Sequence, residues 1–332
     1  MGKIVTSIEE LVGNTPLMEL KGYEQKYDLK AHLLAKLEYF NPTGSVKDRA
    51  ALNMIRGAEE EGLIRPGDTI VEQTSGNTGI GLAAFAIARG YQMEIFLERG
   101  ASRERRLMLE AYGVKFLDYK DALGNKSEEE RAFGWQEPDR EATLREIYDY
   151  CQRQEKKHYF INQVTNPYNP QAHIQTTGPE IWEDTQGKVD ILVCMVGTGG
   201  TAYGLFNYLK GKNPNLQIVL AQPDPSSRMT PEQPDVEIID GVLAFDGIPE
   251  EEKSGFVEEG MYDMCINVKT EEAFATAREL VKTDGLLMGT SSAAALFAAT
   301  QLAKKPENEG KNIVIIMPDN GMKYFSTNLF SK

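Results

Sequence analysis

The chain has 332 residues, of which 41% are hydrophobic and 26% are charged. One hydrophobic core rarely serves this length, so two lobes are more natural than one sandwich, although an α/β barrel also fits. The composition is that of a globular protein and excludes a disordered chain. A formal net charge of -14 repels phosphate backbones and anionic lipid, so neither nucleic-acid nor membrane partners are expected.

Apolar runs rich in β-branched residues alternate with longer amphipathic segments along most of the chain. In chain order, the apolar runs predict strands at 32–37, 69–73, 92–97, 115–119, 159–163, 191–196, 217–221 and 312–317. The amphipathic segments predict helices at 47–61, 78–89, 103–112, 171–185, 201–210, 271–283 and 292–304. This alternation predicts an α/β fold with mainly parallel sheets flanked by helices.

Two stretches interrupt the alternation. Residues 120–157 are strongly charged and contain a helix-like segment at 141–154. They fit either a solvated helix and loop or a lid or partner contact. Residues 223–254 are rich in proline and acid, which predicts a long irregular loop; such loops in compact domains are usually functional.

The cysteines and histidines limit the available chemistry. Three cysteines without CxxC spacing predict reduced thiols in a cytoplasmic protein, with neither a metal site nor a disulfide framework. No apolar run is long enough to span a membrane, and the start lacks the apolar core of a signal peptide. Three histidines are too few for chemistry built on a histidine cluster. These residues are Cys151, Cys194, Cys265, His32, His158 and His173.

Four polar or glycine-rich turns are predicted to follow strands, where the ligand sites of open α/β sheets lie. The first, residues 41–49, leads into a helix that holds Lys47 in its first turn. The helix dipole disfavours a cation there. Lys47 is therefore either a solvated surface residue or one kept for its amine, and spacing alone favours the surface residue.

The second turn, residues 74–81, follows a predicted strand and opens a helix. Its Thr-Ser-Gly-Asn-Thr sequence combines hydroxyls, an amide and free backbone N–H groups, which suits a carboxylate. An ordinary N-cap with turn glycines explains the pattern equally well.

The third turn, residues 197–201, has the sequence Gly-Thr-Gly-Gly-Thr and lets backbone amides approach a phosphate at a helix start. Gly197, Gly199 and Ala202 also satisfy the dinucleotide fingerprint, with Asp224 where a ribose-binding acid belongs. The turn therefore also supports a rival hypothesis, a nicotinamide-dependent oxidoreductase.

The fourth turn, residues 289–293, opens the last long helix, and by itself it is explained by a helix cap. Together, the four turns resemble the cysteine synthase (B-type O-acetylserine sulfhydrylase) and cystathionine β-synthase family of fold-type II pyridoxal 5'-phosphate (PLP) enzymes. The stretches that carry the resemblance follow one another along nearly the whole chain: 41–49, 74–79, 166–170, 177–182, 197–201, 289–292 and 324–327.

The resemblance implies a role for each site residue. Lys47 forms the imine with the cofactor and acts as base on the substrate Cα, Asn77 bonds the ring hydroxyl oxygen, and Ser291 faces the pyridine nitrogen. The residues expected to hold the substrate carboxylate are Thr74, Ser75, Thr78 and Gln163. Those expected to cradle the cofactor phosphate are Gly197, Thr198, Gly199, Gly200 and Thr201.

A neutral hydroxyl at Ser291 does not keep the pyridine ring protonated, so the ring is a shallow electron sink. The expected chemistry is β-elimination through an aminoacrylate, followed by addition of a nucleophile at Cβ. The resemblance thus implies a cysteine synthase that converts O-acetylserine and sulfide to cysteine and acetate. Closure of a mobile lobe is expected to exclude water.

The sequence departs from the family pattern at Ala293, at Met322-Lys323 and in the longer 120–157 stretch. A further departure concerns the substrate. Asp240 stands where O-acetylserine enzymes usually have an uncharged residue, and its carboxyl suits acid–base work on a hydroxyl or thiol at Cβ. The alternative function is therefore a cysteine β-lyase or cystathionine β-synthase-like enzyme that uses cysteine or serine and releases hydrogen sulfide. A turn-fixing aspartate is the plain alternative.

The resemblance also implies the domain organisation. A smaller, mobile domain at 42–165 carries the carboxylate-binding loop, and a larger domain formed by 1–41 and 166–332 carries the phosphate-binding loop. A homodimer acting on a small amino acid and sulfide or a thiol is expected. A catalytically inactive scaffold is disfavoured, because every expected cofactor contact is present in the sequence.

Overall fold

A computed structural model of the chain describes residues 4–74, 76–97, 101–117, 140–230, 232–248, 253 and 255–331. The chain forms two compact units, each built from two separate stretches. Unit 1 comprises Met1–Val12 and Lys47–Asn169, and unit 2 comprises Gly13–Val46 and Pro170–Lys332.

The described residues form an α/β fold, as the alternation of the sequence predicts. The strands are β1 Leu17–Glu19, β2 His32–Leu37, β3 Thr69–Thr74, β4 Gln92–Leu97, β5 Lys115–Leu117, β6 His158–Phe160, β7 Ile191–Met195, β8 Gln217–Pro223, β9 Met264–Val268 and β10 Asn312–Met317. The α-helices are α1 Lys21–Lys26, α2 Lys47–Glu60, α3 Asn77–Ala88, α4 Arg103–Ala111, α5 Arg140–Gln152, α6 Tyr168–Ala172, α7 Gly178–Asp184, α8 Gly200–Lys212, α9 Thr270–Asp284 and α10 Thr290–Ala303. Across these stretches of the chain, no helix combines the length and the apolar character needed to cross a membrane.

Unit 1 is built on a four-stranded parallel sheet in the order β5-β4-β3-β6. All six residues of β3 are buried, as expected for an inner strand that is covered on both faces. Neighbouring residues of β3 serve different cores: Ile70 belongs to the core of α2 and α3, and Val71 to the core of α5. Because β3 and β6 are parallel, the loops that carry Thr74 and Gln163 leave the sheet at the same edge.

Unit 2 is built on a six-stranded sheet in the order β1-β2-β10-β7-β8-β9. Only β1, among these strands, pairs in the antiparallel sense. The last strand, β10, lies in the interior of the sheet between β2 and β7. Ile315 packs in the core of α9 and α10, and Val314 in the core of α7 and α8, so helices cover both faces.

The helix predicted at 171–185 is not one α-helix. Between α6 and α7 the chain forms a π-helical turn, His173–Thr177. A π turn widens the helix by one residue and leaves the apolar spacing of the sequence almost unchanged, so a pattern of period 3.6 does not reveal it. The sequence also does not predict β1, which has only three residues, or the partly exposed edge strand β9.

The N-terminal segment, Met1–Val12, belongs to unit 1. Ile8 and Val12 contact the core of α2 and α3. Glu9 accepts hydrogen bonds from Arg89 Nε at 2.7 Å and from Arg89 Nη2 at 2.8 Å. The predicted larger domain at 1–41 and 166–332 therefore differs from unit 2 in three places: residues 1–12 and 166–169 belong to unit 1, and residues 42–46 belong to unit 2. The predicted mobility of the smaller domain stays a prediction.

The fold of unit 1 depends on the buried face of α3. Phe85 is fully buried in the core, whereas Ile87 on the same helix is 46% exposed. We expect Phe85→Ala to lower the free energy of unfolding by about 3–5 kcal/mol, because it removes apolar contacts and leaves a cavity. Ile87→Ala, the matched control, should cost less than about 1 kcal/mol. Chemical denaturation measures both values, and equal losses would contradict the packing described.

Candidate active site

Lys47 is the first residue of α2, and it is partly buried. The start of α2 lies against α3 at Gly81. A Cβ on Gly81 would be 3.1 Å from Ala51 Cβ and 3.4 Å from the carbonyl oxygen of Lys47. Asn77 precedes Gly81 by about one turn, so it begins α3 on the face that meets α2. Unit 1 therefore brings the predicted cofactor-binding residues Lys47 and Asn77 to two neighbouring helix N-termini.

The turn between β3 and α3 requires a glycine. Gly76 has a φ of +157°, which residues with side chains rarely adopt, and a Cβ there would collide with the side chain of Arg105. The N–H of Gly76 donates to the hydroxyl of Thr74 at 3.2 Å. Because Gly76 is the N-cap, no N-cap side chain occupies the first N–H groups of α3, which suits the predicted carboxylate site. Ser75, another predicted carboxylate contact, lies outside the described residues.

Two other predicted carboxylate contacts touch each other. The Thr78 hydroxyl donates to Gln163 Oε1 at 2.5 Å. Gln163 Nε2 donates to the carbonyl of Gln73 at 3.3 Å, and Asn169 Nδ2 donates to the carbonyl of Gln163 at 2.7 Å. Both Thr78 and Gln163 are buried. The side chain of Gln163 is thus held in one orientation beside the start of α3, where an amide N–H can face an anion.

Glu72 holds the backbone of this site, and the sequence does not single it out. Its carboxylate accepts the N–H of Gln163 at 2.9 Å and the N–H of Gln73 at 2.8 Å. Burial raises the pKa of Glu72 to about 8, and it outweighs the two backbone hydrogen bonds, which lower it. An acidic residue inside a predicted strand, directly after the apolar pair Ile70-Val71, is the signal that could have identified it.

The loop after β7, residues 197–201, meets the requirements of a phosphate site. Gly199 has a φ of +86° and is the N-cap of α8, which therefore begins without an N-cap side chain. A Cβ on Gly197 would lie 2.6 Å from the carbonyl oxygen of Gly241, so glycine is required there too. The N–H of Gly200 donates to the hydroxyl of Thr198 at 3.4 Å. Glycines at a helix N-terminus leave backbone N–H groups accessible to a phosphate.

Unit 2 brings two more predicted residues to this loop. The N–H of Asp240 donates to the hydroxyl of Thr290 at 3.1 Å. Thr290 is the first residue of α10, and the buried Ser291 is the second. Since Gly241 touches Gly197, Asp240 stands between the glycine loop and the start of α10.

His173 is a second residue that the sequence does not place in the site. It is only 1% exposed. Its Nδ1 lies 2.8 Å from the hydroxyl oxygen of Thr177, and its Nε2 lies 3.2 Å from that of Thr201. Its position between two stretches that carry the family resemblance, 166–170 and 177–182, is the available signal.

Asp224, the ribose-binding acid of the rival hypothesis, has a local structural role. Its carboxylate accepts the hydroxyl of Ser226 at 2.6 Å and the N–H of Ser226 at 3.0 Å. These bonds cap a short 3-10 helix, Pro225–Ser227, and lower the pKa of Asp224. The aspartate that completes the dinucleotide fingerprint in the sequence is thus an ordinary helix cap in the structure.

The cysteines do not provide a nucleophile. All three are free thiols. Burial raises the pKa of Cys151 and of Cys265 to about 12, and it also raises that of Cys194. The thiols are therefore protonated at neutral pH, whereas nucleophilic cysteines react as thiolates.

The raised pKa of Glu72 makes stability depend on pH. The native state binds one more proton than the unfolded chain between about pH 4.5 and about pH 8, so the contribution of Glu72 is full below pH 4.5 and is lost as the pH rises through 8. We expect the free energy of unfolding of the wild type to fall, relative to that of Glu72→Gln, by up to about 1.4 kcal/mol per pH unit in this window.

Urea unfolding at several pH values between 5 and 8 measures this difference. Glu60→Gln, at an exposed position of α2, is the matched control and should follow the wild type. Parallel pH profiles of the wild type and Glu72→Gln would contradict the assignment of the shift to Glu72.

The chain is similar over its whole length to known proteins. A curated cysteine synthase of Staphylococcus aureus is 39% identical over 330 residues, which cover 99% of this chain and 98% of the relative. The solved cysteine synthase (OASS) of Entamoeba histolytica is 35% identical, with a TM-score of 0.82 over 99% of this chain and 92% of that one. A hydrogen sulfide-producing enzyme of Fusobacterium nucleatum is 33% identical, with a TM-score of 0.79 over 97% of this chain and 100% of that one.

A family profile agrees with these similarities. The profile of the family described as "Pyridoxal-phosphate dependent enzyme" matches residues 8–319, which include most of both units and all the predicted site residues. This match, with full-length identities above 30%, confirms the predicted two-domain α/β fold of fold-type II PLP enzymes and the cofactor PLP. It also overturns the oxidoreductase hypothesis: the chain belongs to the pyridoxal-phosphate-dependent enzyme family.

Proposed function

We propose that this chain is a PLP-dependent β-replacement enzyme of the cysteine synthase type, which converts O-acetylserine and sulfide to cysteine and acetate. The observation that carries the proposal is in unit 1, where Lys47 begins α2 beside the start of α3, whose N-cap is Gly76. An amine next to a carboxylate-binding helix start is what an enzyme acting at the Cα of an amino acid requires. Full-length identity to a cysteine synthase supports the substrate class.

The residues of the chain fit PLP. The glycine loop 197–201 offers the phosphate backbone N–H groups at the start of α8, and close packing at Gly197 and the positive φ of Gly199 exclude larger residues. Lys47 supplies the amine that holds the cofactor, and Asn77 an amide for the ring hydroxyl oxygen. When bound, PLP supplies an electron sink conjugated to the substrate Cα, which permits loss of a group from Cβ.

The substrate carboxylate is bound by groups of unit 1. The N–H groups at the start of α3, the hydroxyl of Thr74 and the amide of Gln163 lie at one edge of the sheet. Thr78, whose hydroxyl donates to Gln163, joins them through its backbone N–H in the first turn of α3. Ser75, between Thr74 and Gly76 in sequence, joins this set in the proposal. Neutral donors at a helix N-terminus suit a carboxylate, because the positive end of the helix dipole stabilises an anion there without a charged side chain.

Lys47 moves the proton that the reaction needs. Its amine takes the proton from the substrate Cα and returns it later, so it must become neutral during the cycle. The start of a helix disfavours the charged ammonium, which lowers the cost of that step. Ser291 is buried in the first turn of α10. Its hydroxyl would be an uncharged partner for the nitrogen of the cofactor ring.

The role of Lys47 has a direct test. We expect borohydride to fix the cofactor onto the lysine that holds it, and peptide mapping to find that lysine at 47. Lys47→Ala should lower the rate of cysteine formation from O-acetylserine and sulfide by at least about 100-fold, because it removes the proton carrier. Lys21→Ala, at a side chain that is 78% exposed, is the control and should retain activity. A label on another lysine would refute the proposal.

A second candidate function is favoured by Asp240. Its backbone is tied to Thr290, beside the glycine loop and Ser291, and the carboxyl is partly buried. A carboxyl at this position can give a proton to a leaving thiol or hydroxyl at Cβ, help that acetate does not need. The candidate is a cysteine β-lyase or cystathionine β-synthase-like enzyme that releases hydrogen sulfide, which is also what the Fusobacterium nucleatum relative produces.

Substrate preference separates the two candidates. If Asp240 is the acid, Asp240→Asn should lower hydrogen sulfide release from cysteine by about 100-fold or more, while the rate with O-acetylserine changes by less than about threefold. Steady-state rates with O-acetylserine, cysteine and serine provide the comparison. An unchanged preference among the three would remove the acid–base role and leave the cysteine synthase reaction.

We propose further that the enzyme is a homodimer in the cytoplasm, as the family resemblance implies. Three free thiols are in keeping with a reducing compartment. The mass in sedimentation equilibrium tests the dimer, and the mass of a single chain would contradict it.

A further inference from the structure

The π-helical turn of unit 2 places a buried histidine between two hydroxyls. His173 Nδ1 lies 2.8 Å from Thr177 Oγ1, and Nε2 lies 3.2 Å from Thr201 Oγ1. Thr177 is fully buried and His173 nearly so. Thr201 is the last residue of the glycine loop and lies in the first turn of α8. The three side chains therefore form a chain of polar groups that ends at the proposed phosphate site.

A neutral imidazole has one donor and one acceptor nitrogen, so the hydrogen bonds that link Thr177, His173 and Thr201 can run in two directions. In the first, Thr177 donates to Nδ1, and the Nε2 hydrogen is donated to Thr201 Oγ1. The hydroxyl hydrogen of Thr201 is then available to a further acceptor. In the second, Thr201 donates to Nε2 and presents only lone pairs outward.

A phosphate discriminates between the two directions. The oxygens of a phosphate dianion accept hydrogen bonds and do not donate them, so Thr201 must offer its hydrogen to bind one. Only the first direction permits this. We propose that His173 is a positioning residue for the cofactor phosphate. As the Nε2–H tautomer, it accepts a hydrogen bond from the Thr177 hydroxyl and donates one to Thr201 Oγ1, which directs the Thr201 hydroxyl hydrogen toward a phosphate oxygen. The inference rests on the proposed assignment of residues 197–201 to that phosphate.

The packing of α8 supports this role. Gly204 follows Thr201 by three residues and lies on the same helix face. A Cβ on Gly204 would be 2.5 Å from the carbonyl oxygen of Pro170 and 2.6 Å from His173 Cβ. A Cβ on Gly178, just after the π turn, would be 2.8 Å from the ring of Tyr208. Both glycines let α8 and the π turn touch directly, which keeps the imidazole within reach of Thr201.

The tautomer is measured directly in the holoenzyme. The chain has only three histidines, so long-range proton–nitrogen NMR spectra of histidine-labelled protein are assignable with single His→Asn variants. We expect His173 to be the neutral Nε2–H form with PLP bound. The Nδ1–H form would overturn the inference, because Thr201 would then donate to the ring.

Cofactor affinity gives an independent test with two variants of His173 whose side-chain amides extend to different distances. The amide of Gln reaches about as far as Nε2, whereas the amide of Asn reaches about as far as Nδ1. We expect His173→Asn to weaken PLP binding by about tenfold and His173→Gln to restore most of the loss. His32→Asn, at an exposed position on β2, is the control and should bind as the wild type does.

Pyridoxal, which lacks the phosphate, distinguishes positioning from general damage. His173→Asn should leave the affinity for pyridoxal within about twofold, because the lost contact concerns the phosphate only. Equal losses for PLP and pyridoxal would mean a structural role and would overturn the inference, as would unchanged PLP binding in His173→Asn. Borohydride labelling of Lys47 in the same samples reports on the proposed function separately, since it depends on the amine and not on His173.

Discussion

In both units a glycine takes the N-cap position of a helix that follows a parallel strand. Gly76 precedes α3 in unit 1, and Gly199 precedes α8 in unit 2, each with a backbone angle that favours glycine. An N-cap serine or aspartate would satisfy an orphan N–H and stabilise each helix by about 1 kcal/mol. These helices lack that stabilisation, and in the proposed function their N-termini bind anions. The proposed chemistry depends on this constraint, because the substrate carboxylate and the cofactor phosphate are both anions.

The residues behind these helix starts serve the same purpose. Glu72 holds the backbone that carries Gln163, and His173 holds the hydroxyl of Thr201. Neither replaces a proposed ligand contact; each determines where a neighbouring donor points. Buried polar groups of this kind are costly unless they are fully bonded. Both are bonded and lie next to the two glycine turns, where the proposed function needs oriented donors.

Much of the fold could be predicted from the sequence, because parallel strands buried on both faces are continuous apolar runs. Strands β2, β4 and β10 have the predicted bounds. The π turn before α7 and the edge strand β9 could not be predicted, since neither changes the hydrophobic pattern in a recognisable way. The glycine turns, and the kind of anion that each suits, could be predicted from their residues, but the expected cofactor and substrate came from the family resemblance. Glu72 and His173 act through contacts with residues far away in sequence, and such contacts leave no local pattern.

The position of β10 has a consequence for synthesis on the ribosome. β10 follows every other described strand in sequence, yet it fills the gap between β2 and β7. Until residues 312–317 leave the exit tunnel, those two strands have open edges, and edges of this kind pair readily with other chains. A nascent chain that stops before these residues thus presents open strand edges to aggregation, and unit 2 completes its sheet only once residues 312–317 have been made.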